Sequence, residues 1–143
     1  MAACGPPTSM TTVSSVTESL FQRGSQYQQF RPTYPPSLFQ WLANQCPCRD
    51  RAMDLGCGSG QASRGLEPWF RQVIGADISH PQLLASPPSS SHYLVSVAHR
   101  LPLADASLDL ITVAQAYHWF DQTAFQAEAE RTLRPGGVLA LIS

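Results

Sequence analysis

Apolar residues along this chain gather into short continuous runs bounded by Gly, Pro, Ser and Asp, and these runs alternate with stretches where apolar side chains recur every three or four positions. The first kind predicts strands buried on both faces, and the second predicts helices that cover them. Strands are expected at Arg51–Leu55, Gln72–Asp77, His92–Val97, Leu108–Val113 and Val138–Ile142. A helix is predicted from Ser37 to Gln45, entered through prolines and carrying Leu38, Phe39, Trp41 and Leu42 on one face. A short helix from Gln61 to Leu66 is interrupted at Pro68, and another, from His80 to Leu84, runs into the loop Ser86–Ser91. The clearest helix spans Phe120 to Leu133, with Asp121 as N-cap, Phe125, Ala129 and Leu133 on one face, and Glu130 placed to pair with Arg134 at i,i+4. Pro135-Gly136-Gly137 ends it. Residues 1–20, rich in Ser, Thr, Ala and Pro, read as a disordered leader outside the fold, and residues 21–143 as the domain.

Strands alternating with helices through short links predict an α/β fold, a doubly wound, Rossmann-like parallel sheet with right-handed crossovers. Its ligand crevice should lie beyond the carboxyl ends of the first and fourth predicted strands, where strand order reverses. At 143 residues the chain holds one domain at most. Net charge is -1 and all nine basic residues are Arg, scattered rather than clustered, which argues against electrostatic capture of nucleic acid. No segment approaches the roughly 18 consecutive apolar residues of a membrane span, and no basic-then-apolar leader opens the chain. The reading is a soluble, cytoplasmic protein without a membrane partner. The four cysteines, Cys4, Cys46, Cys48 and Cys57, lack a second pair at zinc-ligand spacing and read as free thiols, with no metal site.

The chemistry concentrates in Asp54-Leu55-Gly56-Cys57-Gly58-Ser59-Gly60, followed 17 residues after Gly60 by Asp77 at the end of the second predicted strand. Glycines at Gly56, Gly58 and Gly60 let backbone approach a ligand where a Cβ would collide, and Asp77 can accept from a ribose diol. A dinucleotide fingerprint, G-x-G-x-x-G, requires glycine at Gln61 or Ser63, and neither is one. An acid just ahead of the glycines repels a pyrophosphate but suits a ligand with an amino group or a positive centre. S-adenosylmethionine (SAM), which has an ammonium, a sulfonium, a ribose and no phosphate, meets these requirements better than NAD.

The stretch Asp54 to Gly60 resembles the first motif of class I SAM-dependent methyltransferases. The chain from Tyr27 to Ser143 is similar to the methyltransferase type 11 domain, and within it to the branch that includes trans-aconitate methyltransferases. Three further stretches carry that likeness: the entry Arg31-Pro32-Thr33-Tyr34-Pro35, the run Ala116-Tyr117-His118-Trp119-Phe120-Asp121, and Arg131-Thr132-Leu133-Arg134-Pro135-Gly136-Gly137-Val138-Leu139. The resemblance implies methyl transfer from SAM to a small-molecule acceptor, a carboxylate among the candidates. It also implies a seven-stranded sheet whose last two strands form a hairpin against the fifth. By that measure the chain is C-terminally truncated, with its fifth predicted strand left as a bare edge. The alternative is a non-catalytic isoform that binds SAM weakly or pairs with another chain through that edge; oligomeric state is left open.

Candidate cofactor-binding residues are Asp54, Gly56, Cys57, Gly58, Gly60, Asp77 and Ile78, with Gln115 at the end of the fourth predicted strand. Adenine would be held near Ala98 and His99, where relatives commonly place an acid. The resemblance implies that Tyr27 or Arg31 holds the methionine carboxylate, a surface Arg being the other reading. A carboxylate acceptor needs no base. A hydroxyl or amine acceptor does, and His118 is the candidate, with an ordinary pKa near 6.5; the plainer role is a packed structural histidine. Trp119 and Phe120 read as anchors of the following helix in the core.

Overall fold

The computed structural model describes residues 11–13 and 34–142, apart from the side chains of Thr11, Thr12, Val13 and His118. Its elements, in chain order, are β1 (Thr11–Val13), α1 (Pro36–Gln45), β2 (Arg51–Leu55), α2 (Gln61–Leu66), β3 (Gln72–Asp77), α3 (His80–Leu84), β4 (His92–Val95), β5 (Leu108–Ala114), a 3-10 turn (Tyr117–Trp119), α4 (Gln122–Thr132) and β6 (Leu133–Ile142). The sheet runs β1-β6-β5-β2-β3-β4 with every pairing parallel. From β2 the chain winds outward to β4, then returns to β5 beside β2 and continues the other way. The switch point therefore falls between β2 and β5, as the sequence predicts.

Strands β2, β3, β5 and β6 feed two cores, because successive side chains point to opposite faces. Ala52, Val73, Leu110, Val138, Ala140 and Ile142 meet Leu38, Phe39 and Leu42 of α1 and Ala62 and Leu66 of α2. Met53, Leu55, Ile74, Ile111, Val113 and Leu139 meet Phe125 and Ala129 of α4. This two-sided burial is why the strands read as unbroken apolar runs rather than alternating ones. In α1, Leu38 and Leu42 are buried, whereas Trp41 is 40% exposed and does not share their face.

Several expectations change. Thr11–Val13, assigned to the leader, pair with Val138–Ala140 of β6, so the edge expected to be bare carries a strand. The predicted helix through Leu133 stops at Thr132. Leu133 already pairs with Leu108, and the next partners are Leu110 and Val138, so Pro135-Gly136-Gly137 sits in a bulge rather than ahead of the strand. Arg134 consequently lies on β6, out of helical register with Glu130, and its guanidinium reaches Asp109 and Asp50, each at 3.3 Å. Cys46 and Cys57 are free and buried. Cys48, expected as a free thiol, is disulfide-bonded. No helix among the described residues is long and apolar enough to cross a membrane.

Two charged devices brace the frame. Arg131 of α4 donates to the carbonyls of Leu101 and Leu103 and pairs with Asp105, while Glu128 accepts from Leu101 N–H, so the link into β5 is fastened to the helix. The Arg131 hydrogen bond holds the Glu128 carboxyl down to about 2. At the amino ends of β2 and β5, Asp109 is 3% exposed and its Oδ2 accepts from Asp50 N–H and Arg51 N–H, both at 2.9 Å. Asp109→Ala would orphan both N–H groups and strip Arg134 of its buried partner, and should cost about 3–5 kcal/mol in urea unfolding. Arg71→Ala breaks a pair whose arginine is 85% exposed, and should change stability by less than about 1 kcal/mol.

Candidate active site

Beyond the carboxyl end of β2 the chain turns through Gly56, Gly58 and Gly60, all at positive φ (66°, 57° and 87°), before entering α2. A side chain would be strained at each, and at Gly56 and Gly60 space forbids one as well. A Cβ on Gly56 would lie 2.7 Å from the Ala116 Cβ, and one on Gly60 would run into the Tyr93 ring. Cys57 N–H donates to Ala76 C=O at 3.0 Å and Gly60 N–H to Cys57 C=O at 2.9 Å, which clip the loop to β3 and close its turn.

Asp77, the last residue of β3, holds both this loop and the one after it. Its Oδ2 accepts from Gly58 N–H at 2.9 Å and its Oδ1 from Ser79 N–H at 2.8 Å. An ionised carboxylate has about four acceptor sites, so two of them are occupied by the fold. Asp54 lies deeper, 1% exposed, with Oδ2 accepting from Ser63 Oγ at 2.8 Å and Oδ1 from Thr112 Oγ1 at 3.0 Å. Burial pushes its carboxyl up to about 6, against the pull of those hydroxyls, and Asp77 adds a smaller push. Burial first, then the two acids, drive the Cys57 thiol well above its ordinary range, so Cys57 is a packed thiol rather than a nucleophile.

These groups open onto a cavity of about 320 Å³, within the size range of small-ligand sites. The loop, Asp54 and Asp77 form one wall, with Gln61 and Ala62 of α2 and Gln82 of α3 beside them. Tyr34, Ala114, Gln115, Ala116 and Trp119 complete the lining. Of the sequence candidates, Asp54, Gly56, Cys57, Gly58, Asp77 and Gln115 line it, and Gly60 caps α2 immediately behind the wall. Ile78 is 73% exposed, Ala98 is packed into the α4-side core and His99 is exposed; none of the three is on the cavity wall. The backbone of His118 is in the 3-10 turn, and Tyr27 and Arg31 lie outside the described residues.

Trp119 departs from its expected place. It is 80% exposed and lines the cavity, whereas Phe120 packs edge-on against Phe125 with ring centres 5.3 Å apart. The 3-10 turn separates the neighbours, turning one ring out and the other in. Tyr34, Gln61, Ala62, Gln82, Ala114 and Ala116 were not singled out from sequence. Tyr34 and Ala116 had a signal, their places in Arg31–Pro35 and in Ala116–Asp121; the rest reach the cavity because strands and loops distant in sequence converge there.

A family model described as methyltransferase domain, type 11, matches residues 53–141, from the strand that carries Asp54 to the last strand of the sheet. The chain belongs to this methyltransferase family. An inferred methyltransferase of Dictyostelium discoideum is 42% identical over 119 residues, which are 82% of this chain and 45% of that protein. A malonyl-[acyl-carrier protein] O-methyltransferase of Dechloromonas aromatica is 40% identical over 93 residues, 64% of this chain and 35% of that one. An inferred type II methyltransferase from Anaeromyxobacter dehalogenans, solved structurally, superposes with a TM-score of 0.74 at 44% identity, covering 78% of this chain and 48% of its own. This methyltransferase chain thus spans about half the length of such relatives. Its fold and motif are those of class I SAM-dependent methyltransferases.

Because folding raises the Asp54 pKa from 3.8 to about 6, the protonated acid favours the folded state. That contribution is complete below about pH 4 and is lost as pH rises through 6. Between pH 4 and 7, the stability of Asp54→Asn relative to the native chain should therefore rise by on the order of 2–3 kcal/mol, followed by urea unfolding across the range.

Proposed function

We propose that the cavity binds SAM and that the protein transfers its methyl group to a small-molecule acceptor, a carboxylic acid being the favoured class. One observation carries the reading: two carboxylates, Asp54 and Asp77, bracket a glycine loop on a wall with no basic side chain among the described lining residues. A pyrophosphate would meet repulsion there, whereas a sulfonium and an ammonium meet attraction. In this reading Asp77 takes the ribose hydroxyls with its remaining lone pairs. Asp54 supplies negative charge toward the ammonium, the Gly56–Gly60 backbone passes close to the ligand, and Gln115 faces the methionine part or the acceptor. Tyr27 or Arg31 holds the methionine carboxylate, and Ile78, Ala98 and His99 belong to the adenine end.

Bound SAM supplies an electrophilic methyl group. The acceptor oxygen forms the new bond to carbon as the carbon–sulfur bond breaks, its electron pair stays on sulfur, and a neutral thioether leaves. The protein's share is alignment of donor and acceptor and exclusion of water. Opposite charges vanish along the way, which a partly buried cavity favours over bulk water. A carboxylate acceptor needs no base; with a hydroxyl or amine acceptor, His118 would take the proton. The carboxylate class draws support from the Dechloromonas aromatica relative, whose name specifies O-methylation of a malonyl group, and from the likeness to trans-aconitate methyltransferases.

Calorimetric titration tests the ligand directly. SAM and its demethylated product should give heat and NADH none, with Asp77→Ala weakening SAM at least about tenfold, or 1.4 kcal/mol. Affinity for SAM should also fall about tenfold per pH unit below 6, where Asp54 takes up its proton. Heat with NADH and silence with SAM would overturn the assignment.

A further inference from the structure

The part of the cavity lining that comes from the end of β5 and the segment ahead of α1 has its own construction. Gln115, just past β5, holds a φ of +64°, a left-handed conformation that costs a non-glycine residue about 1–2 kcal/mol. It is kept there because its N–H donates to the Ile142 carbonyl of β6 at 2.8 Å. Tyr34 comes from a different part of the chain, ahead of α1, with its ring set edge-on against Phe39 at 6.1 Å. The side chains of the two meet in a hydrogen bond at the cavity, so the strained backbone of one and the packed ring of the other converge on a single point. Backbone strain that the surrounding fold holds in place is a mark of functional sites.

Resting on the SAM reading above, we infer that Tyr34 and Gln115 together grip the acceptor, with the phenol O–H and the amide N–H as paired donors to the oxygens of a carboxylate. Tyr34 and Gln115 give this part of the lining neutral donors, with the exposed Trp119 ring among the same lining residues. Burial and the nearby Asp54 push the Tyr34 phenol up to about 12, so it stays a neutral donor wherever the protein is folded. A glutamine carries two N–H donors, so its amide can hold Tyr34 and still reach a second oxygen. The oxygen not gripped is then the one presented to the methyl group.

Saturation-transfer NMR on the full chain saturated with demethylated SAM tests this, using malonate, succinate, trans-aconitate and benzoate as probes. At least one probe should bind the native complex. Its affinity should fall about tenfold in Tyr34→Phe and in Gln115→Ala, and the double variant should lose little more than either single one, because the two act as a unit. Calorimetric affinity for demethylated SAM should stay within about threefold in Tyr34→Phe. Retained demethylated-SAM binding with no probe bound, or with probe affinity unchanged in the variants, would overturn the acceptor grip and leave the SAM reading standing. Parallel loss of probe and demethylated SAM in Tyr34→Phe would overturn it also, by showing that the pair only shapes the cavity. Failure of the native chain to bind demethylated SAM would overturn both.

Discussion

A carboxylate cannot be buried at the end of a central strand unless the protein replaces the water it gives up, and most of this site follows from how that is done for Asp54. Ser63 of α2 and Thr112 of β5 each give it a hydroxyl, so a single acid ties the first helix after the glycine loop to the strand on the far side of the switch point. The three glycines then turn tightly over it, and Asp77 fastens their backbone from β3. Burial still outweighs the hydroxyls, which leaves the carboxyl unsatisfied enough to titrate near 6. In the proposed reading a cation arriving in the cavity relieves that penalty, so the same residue would carry a folding cost and a ligand preference, one reason that binding sites are seldom the most stable part of a fold.

The sheet separates rigidity from chemistry. At the amino ends of its central strands, Asp109 gathers two backbone N–H groups and the Arg134 guanidinium, none of which faces the cavity. At the carboxyl ends, loops of small and polar residues converge, and backbone is held in conformations that only neighbours can enforce. Gln115 is the example: its position depends on β6, whose start depends in turn on the bulge at Pro135–Gly137. Likewise Arg131 and Glu128 secure the chain between β4 and β5 so that β5 enters the sheet in the register that delivers Gln115. Charge in this sparsely charged protein is spent on such fastenings rather than on a surface field.

Family membership supports the donor proposed for the cavity and stops short of the acceptor. The glycine loop, Asp54 and Asp77 make part of the cavity lining electronegative, and Tyr34, Gln115, Ala116 and Trp119 give the remainder a neutral character. Relatives matched by this chain are about twice as long, so in them further polypeptide surrounds the corresponding core.

Local pattern along the chain is enough to set the winding of the sheet. Arg51–Leu55, Gln72–Asp77 and His80–Leu84 form with the predicted bounds, because continuous apolar runs cut by Gly, Pro and Ser are local signals that burial on two faces reinforces. It also determined the loop and its two acids, since a glycine at positive φ and a carboxylate at a strand end are properties of a few consecutive residues. What it could not determine depends on partners far along the chain. Arg134 was placed opposite Glu130 by helical spacing, yet β6 claims it for Asp109; Trp119 was placed inside by its apolarity, yet the 3-10 turn sends it out to the cavity. Thr11–Val13 looked like leader until β6 offered an edge. Tyr34 and Gln115, 81 residues apart, meet only in three dimensions. Tertiary structure decided these because hydrogen bonds, ion pairs and burial depend on distance in space, and local pattern records distance only along the chain.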